Sequence, residues 1–189
     1  MKYILGFFIT ILLLVLLIVL LVTGGDNKTS GPTTSKALTE YANTDSVSSL
    51  TIAGPINAQQ EYRETRISVN RDTTTLEQIQ GYQGAVTDLQ TFPNSVASYE
   101  AFLRSIELAG FTKGDKSEKL KNDRGYCPLG TRYIFEFEAE GKQLERFWST
   151  SCSGAKTYLG NTSLSVTLFK RQIPDFNRLD SEYARRISR

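Results

Sequence analysis

The chain has 189 residues with 22 Lys+Arg against 20 Asp+Glu, no His, two Cys and one Trp. A net charge of +2 is too small to draw nucleic acid or a polyanion onto the whole surface. Without His there is no Ser–His–Asp or Cys–His nucleophile, no imidazole acid–base catalysis and no commonest metal ligand. Two cysteines are too few for a structural zinc site. The sequence therefore calls for no cofactor and no metal.

Tyr3 to Thr23 carries no charge, and from Ile4 to Val22 the apolar run is broken only by Gly6 and Thr10. About 20 apolar residues rising 1.5 Å each match a hydrocarbon core of about 30 Å. Gly24, Gly25 and Asp26 end the run. Residues 1–25 thus read as a transmembrane signal anchor whose contact is the lipid bilayer through residues 3–23. A cleaved signal peptide has a shorter apolar core and a small-x-small site, and Val22-Thr23-Gly24 is a poor one. Lys2 ahead of Gly6-Phe7 resembles a prepilin processing junction. That family places Glu at the fifth position after the cut, where this chain has Ile11, and its helix continues where Gly24-Gly25 breaks this one. A pilin-like subunit therefore ranks below a signal anchor. Lys2 and the amino terminus on one flank favour a cytoplasmic start, with the remainder of the chain outside a cell membrane.

Residues 26–46 are rich in Thr, Ser, Gly, Asn and Lys, the composition of a solvated linker. Within them Ala37–Tyr41 has the makings of one helical turn. Residues 47–189 hold the material of one domain, with eight of the chain's ten Phe, seven of its nine Tyr and its one Trp. Leu50 and Ile52, then Thr65, Ile67 and Val69, alternate with polar residues as strands wet on one face. Gly54-Pro55, Asn70-Arg71-Asp72 and Gly81–Gly84 punctuate them, with Thr73–Gln80 and Ala85–Thr91 as further strands of a meander.

Asn94 or Ser95 can cap a helix whose Val96, Tyr99, Phe102, Leu103, Ile106 and Ala109 share one face, with Gly110 as its stop. Residues 112–124 interleave Lys113, Lys116, Lys119, Lys121 and Arg124 with Asp115, Glu118 and Asp123, the pattern of a solvated loop. Tyr133, Phe135 and Phe137 alternate with Ile134, Glu136 and Glu138. Glu140-Gly141 turns that strand into a return strand ending at Trp148. The alternation of Leu164, Val166 and Leu168 with Ser163, Ser165 and Thr167 predicts one more strand. From Pro174-Asp175 a last amphipathic helix places Phe176, Leu179, Tyr183 and Ile187 on its apolar side. The fold class is α+β: the anchor, then a mainly antiparallel sheet packed with one central and one C-terminal helix.

Cys127 and Cys152 flank the hairpin centred near Glu140, so the return strand brings them opposite each other for a disulfide. Such bonds persist outside the cytoplasm, on the side the apolar run also indicates. The hydroxyl run Ser149-Thr150-Ser151-Cys152-Ser153 needs Lys142 or Lys156 as a base to be nucleophilic, and no SxxK spacing occurs. Glu136, Glu138 and Glu140 share a strand face as carboxylates can in acid–base pairs, but that face reads as the solvent side. No residue is therefore assigned a catalytic role. Trp148 and Tyr158, with Tyr62, Tyr82, Tyr126 and Tyr133, are aromatic candidates for core or partner contact. Lys170 to Arg189 carries six Lys/Arg against three Asp/Glu, with Arg185 and Arg186 as candidate partner contacts beside Arg189. Asn27-Lys28-Thr29 and Asn161-Thr162-Ser163 match the glycosylation sequon, a weak pattern. The sequence expectation is a membrane-anchored extracytoplasmic binding or structural module, a subunit of a cell-envelope assembly meeting a protein or an envelope polymer. The alternatives are a tethered hydrolase or transferase using carboxylates or a Ser–Lys pair, and the pilin-like subunit.

Overall fold

The structure, a computed structural model, describes residues 36–187, and the expected anchor with most of the expected linker lies outside them. A 3-10 turn, Leu38–Tyr41, precedes β1 (Ser46–Ala53), β2 (Arg63–Val69), β3 (Thr73–Gln80) and β4 (Ala85–Pro93). Helix α1 (Val96–Leu108) follows, then β5 (Arg132–Ala139), β6 (Lys142–Thr150), α2 (Thr162–Lys170) and α3 (Phe176–Ile187). The strands form one antiparallel sheet in the order β4-β3-β2-β1-β5-β6. The meander is thus extended on the far side of β1 by the later hairpin.

Local chemistry fixes the turns. Asn70 Oδ1 accepts the N–H groups of Asp72 and Thr73 at 2.8 and 2.7 Å, closing β2 onto β3. Glu140 and Gly141 both have positive φ, 54° and 71°, the two-residue turn whose twist suits a tight hairpin. Ser95 caps α1 by accepting the Ser98 N–H, and Gly110 takes the left-handed conformation just past its end.

Period-two alternation divides the sheet into two faces. Leu50, Ile67, Leu76, Phe135, Phe137 and Phe147 point to one side and are fully buried. Tyr99, Phe102, Leu103 and Ile106 of α1, Phe169 of α2, and Phe176 and Leu179 of α3 cover them. Leu38 and Ala42 join the same core, so the folded part reaches back into the stretch whose composition reads as linker.

The strand expected over Leu164, Val166 and Leu168 is a correction: these residues belong to helix α2. Asn161 Oδ1 accepts the Leu164 N–H at 3.0 Å and starts the helix. Ser165 and Phe169, four apart, then turn inward, while Leu164 stays 44 % exposed. The Tyr158 hydroxyl meets Ser165 Oγ at 2.6 Å beneath that first turn.

One close approach is decisive for the packing. A Cβ on Gly114 would lie 2.1 Å from two ring carbons of Phe147, which is itself buried. Gly114 bridges Tyr158 and so ties the segment after α1 to the one after β6. Gly114→Ala is expected to lower the unfolding free energy by about 2 kcal/mol or more, because a ring in a filled core has nowhere to go. Gly141→Ala, with open space around it, is limited to the backbone cost of positive φ. Urea unfolding of both variants measures the difference.

Candidate functional site

Opposite the helices, the second face of the sheet is polar. Ser49, Ser68, Thr75 and Thr91 form one cross-strand row, with Thr51, Arg66, Glu77 and Leu89 in the next. Arg66 pairs with Glu77 at 3.5 Å, a half-exposed bridge of modest value. Among the described residues, further chain covers this face at the β5–β6 end. There residues 113–131 come back over the sheet and enclose a small second core of Ala53, Tyr62, Ile134 and Trp148.

That covering segment is fastened at three places. At its start, Asp115 donates its N–H to the Thr157 carbonyl, and Leu159 donates to the Lys113 carbonyl. In its middle, Trp148 Nε1 donates to the Leu120 carbonyl at 2.6 Å, and the Tyr126 ring stacks on Trp148 with centroids 4.9 Å apart. At its end, Cys127 is bonded to Cys152, as the flanking positions lead one to expect, with the Cα atoms 5.8 Å apart. Gly130 fits between: a Cβ there would lie 2.4 Å from Cys127 Sγ and 2.6 Å from Ser151 Oγ.

Beneath it runs a charge network. Asp123, read from sequence as part of a solvated loop, is buried, with its carboxylate 2.8 Å from Arg146 Nη2 and 3.6 Å from Arg132 Nε. Arg132 is 1 % exposed and donates to the Tyr62 hydroxyl and to the Gly54 carbonyl. Tyr62 in turn donates to Glu64 at 2.6 Å, while Arg146 also meets Glu136 and the Lys121 carbonyl. Burial first, then the hydrogen bond to Glu64 and its negative charge, push the Tyr62 phenol well above its ordinary pKa. It therefore stays protonated at any physiological pH and is no base. Burying Arg132 is tolerable only because Asp123 follows it in.

A groove of about 170 Å³ separates the covering segment from the outer edge of β6, lined among others by Lys116, Leu120, Leu144, Glu145, Arg146 and Trp148. Lys116 Nζ lies 2.9 Å from Glu145 Oε2 across it. The Trp148 N–H and carbonyl point away from β5, to Thr157 and Tyr158. By the two-residue alternation of a strand, the peptide groups of Arg146 face the same way, into the groove. The site thus offers a strand edge with no partner strand among the described residues, an apolar strip and both signs of charge.

Of the residues singled out from sequence, Trp148 and Tyr158 are 1 % and 0 % exposed. Of the two uses left open by sequence, core or partner contact, both side chains take up packing: Tyr158 stacks on Phe135 at 4.2 Å, and Trp148 is roofed by Tyr126. Arg185 and Arg186 are exposed on α3, with Arg186 bonded to Asp88 of β4 at 3.1 Å. Glu138 is exposed, whereas Glu136 accepts from Gln143 and Arg146. In the hydroxyl run, Ser149 is buried, Ser151 Oγ accepts the Thr131 N–H and Thr150 donates to the Cys152 carbonyl. Sequence reasoning missed the groove and the Asp123–Arg132 pair. By alternation Arg132 falls with Ile134 and Glu136 on the face read as the solvent side, so nothing in the sequence marked it as buried.

The described residues form a two-layer α+β domain with a disulfide-fastened cover on its second face. No protein-family model matches the chain, and no curated protein and no solved structure matches it either.

Two consequences are measurable. Asp123→Asn leaves Arg132 buried with a neutral partner and is expected to cost about 3 kcal/mol in urea unfolding. The double variant Asp123→Asn/Arg132→Met is expected to recover a large part of that loss, because both the stranded charge and its desolvation go. The second consequence concerns alkaline pH. Burial raises the phenols of Tyr99 and Tyr158 as it does that of Tyr62. Since the folded state then holds protons that the unfolded state releases near pH ~10, stability is full below that pH and falls above it. Each such tyrosine contributes a slope of about 1.4 kcal/mol per pH unit, and Tyr158→Phe is expected to make the fall shallower.

Proposed function

We propose that this chain is a membrane-tethered binding module on the oxidising side of a membrane, and that the groove along β6 is the surface it presents. The observation that carries this reading is the Cys127–Cys152 disulfide. It fastens the segment forming one wall of the groove, and its bond belongs to a compartment that does not reduce it. The uncharged run Tyr3–Thr23 supports the same side, being long enough to hold the chain in a bilayer. Among the described residues no helix is long and apolar enough to cross a membrane, so the tether in this reading is the N-terminal run alone.

A free strand edge beside an apolar strip suits an extended peptide segment, which adds backbone hydrogen bonds and seats alternate side chains. Mixed charge at the rim, Lys116 and Arg146 against Glu145, favours register over bulk attraction. The carboxylate version of a tethered hydrolase needs two converging acids. Glu136 is bonded to Arg146 and Gln143 instead, which lends that version no support.

Fractionation and alkylation of the full chain in its own cells test the proposal. The expected result is a protein that stays with membranes through an alkaline carbonate wash and takes up maleimide only after reduction. A soluble cytosolic chain whose thiols react without reductant overturns it. Replacing both cysteines by Ser is expected to lower stability by about 3 kcal/mol, from the entropy of the opened loop.

A further inference from the structure

The Lys116 ammonium marks a place in the β6 groove where a cation sits. It donates to Glu145 Oε1 at 3.1 Å, and it stands over the Phe147 ring, 5.9 Å from the centre. A carboxylate beside the face of an aromatic ring is a seat for a cation. The two partners are held very differently. The Glu145 side chain is 15 % exposed and is set by β6, two residues before buried Phe147 on the same face of the strand. The Lys116 side chain is 68 % exposed on the covering segment. Glu145 Oε2, 2.9 Å from the ammonium but off its hydrogen-bonding direction, is a buried atom that receives no hydrogen bond. The seat is therefore built into the strand, and its occupant is a loosely held surface lysine.

The other cations of the groove are engaged elsewhere. Arg146 has all three guanidinium nitrogens bonded, Nη2 to Asp123, Nε to Glu136 and Nη1 to the Lys121 carbonyl. Lys121 Nζ lies 3.5 Å from Glu118, and Asp115 Oδ1 accepts the Ser117 N–H. With Lys116 turned out into water, Glu145 would carry an uncompensated negative charge beside Leu144 and Phe147. An ion pair to an exposed lysine contributes little, so exchanging that lysine for another cation costs little. Leaving the carboxylate with no cation at all costs more, because water reaches it poorly. A guanidinium from outside would meet both oxygens at once, since its fork matches a carboxylate as a single ammonium does not.

We infer that the β6 groove selects an extended protein segment bearing an arginine or lysine, that Glu145 reads this cation, and that Lys116 is its competitor within the chain. The inference rests on the reading of the groove as a binding surface, and it names the chemistry of the partner. The segment lies along the strand edge, sets an apolar side chain against Leu144 and places its cation on Glu145 in exchange for Lys116. An acidic segment is repelled by Glu145 and finds Arg146 already bonded. A neutral segment has nothing to exchange for Lys116 and leaves the pair closed across the groove. Lys116 thus discriminates by holding the seat against anything that cannot replace it.

The test presents the full chain, in detergent micelles, with a bead library of acetylated and amidated heptapeptides randomised at every position. Sequencing the bound beads is expected to show Arg or Lys enriched at one position. Glu145→Gln is expected to lose that preference, and an unchanged urea midpoint separates lost recognition from a damaged fold. With one selected cationic peptide, fluorescence anisotropy is expected to show binding weakened about tenfold or more by Glu145→Gln. Lys116→Met, at an exposed position, is expected to tighten the same binding several-fold, a gain that no fold defect produces. Bound peptides without a cationic preference, or a preference kept by Glu145→Gln, overturn the inference alone. Enrichment of Asp or Glu, or weaker binding by Lys116→Met, overturns it as well. A library from which no bead binds overturns both the inference and the reading of the groove on which it rests.

Discussion

Five apolar side chains, Leu76, Ile67, Leu50, Phe135 and Phe147, lie at one register across five neighbouring strands, and the rest of the domain is arranged around that row. All are buried to 1 % or less. Sliding any strand by one residue would move its member of the row to the polar face, so each pairing fixes the next. Leu50 matters most, because β1 is where the meander and the later hairpin become a single sheet. Tyr158 and Phe111 pack on Phe135, and Phe169 reaches both Phe111 and Phe102. The helices are thus held by rings that already depend on the sheet.

The second face follows a different logic. It cannot bury a large apolar layer, since its rows are hydroxyls and charges. Its cover is therefore attached through specific bonds: the backbone pairs of 113–115, the Trp148 indole, the Asp123 ion pairs and the disulfide. Such bonds are directional and gain strength from the low dielectric beneath the cover, where an unpaired group would be costly. The groove exists because this cover is fastened at its ends and middle, and stops short of the open part of β6.

This division bears on function. The cover is secured by a disulfide and by polar bonds, and what it frames is a groove with a strand edge, an apolar strip and a rim of both charges, the surface that the proposed binding role would use.

Much of the fold was legible in the residues themselves. Alternation placed the strands of the meander and the β5–β6 hairpin. Ser95 and Gly110 bounded α1, and the two cysteines pointed at each other. These features follow from local periodicity and turn chemistry, which act over a few residues and are written where they act. Leu164, Val166 and Leu168 misled because alternation by two also occurs by chance in a short helix, and only the Tyr158–Ser165 contact and the Asn161 cap decide between them. Asp123 looked solvated because its partners Arg132 and Arg146 are 9 and 23 residues away in sequence. Trp148 and Tyr158 stayed open between core and partner contact because an aromatic ring carries no mark of what will cover it. Composition and periodicity alone determined the strands of the sheet, the bounds of α1 and the disulfide. The burial of a charge, the roof over Trp148 and the groove beside it were decided by the tertiary structure, since each depends on segments that meet only after the sheet has formed.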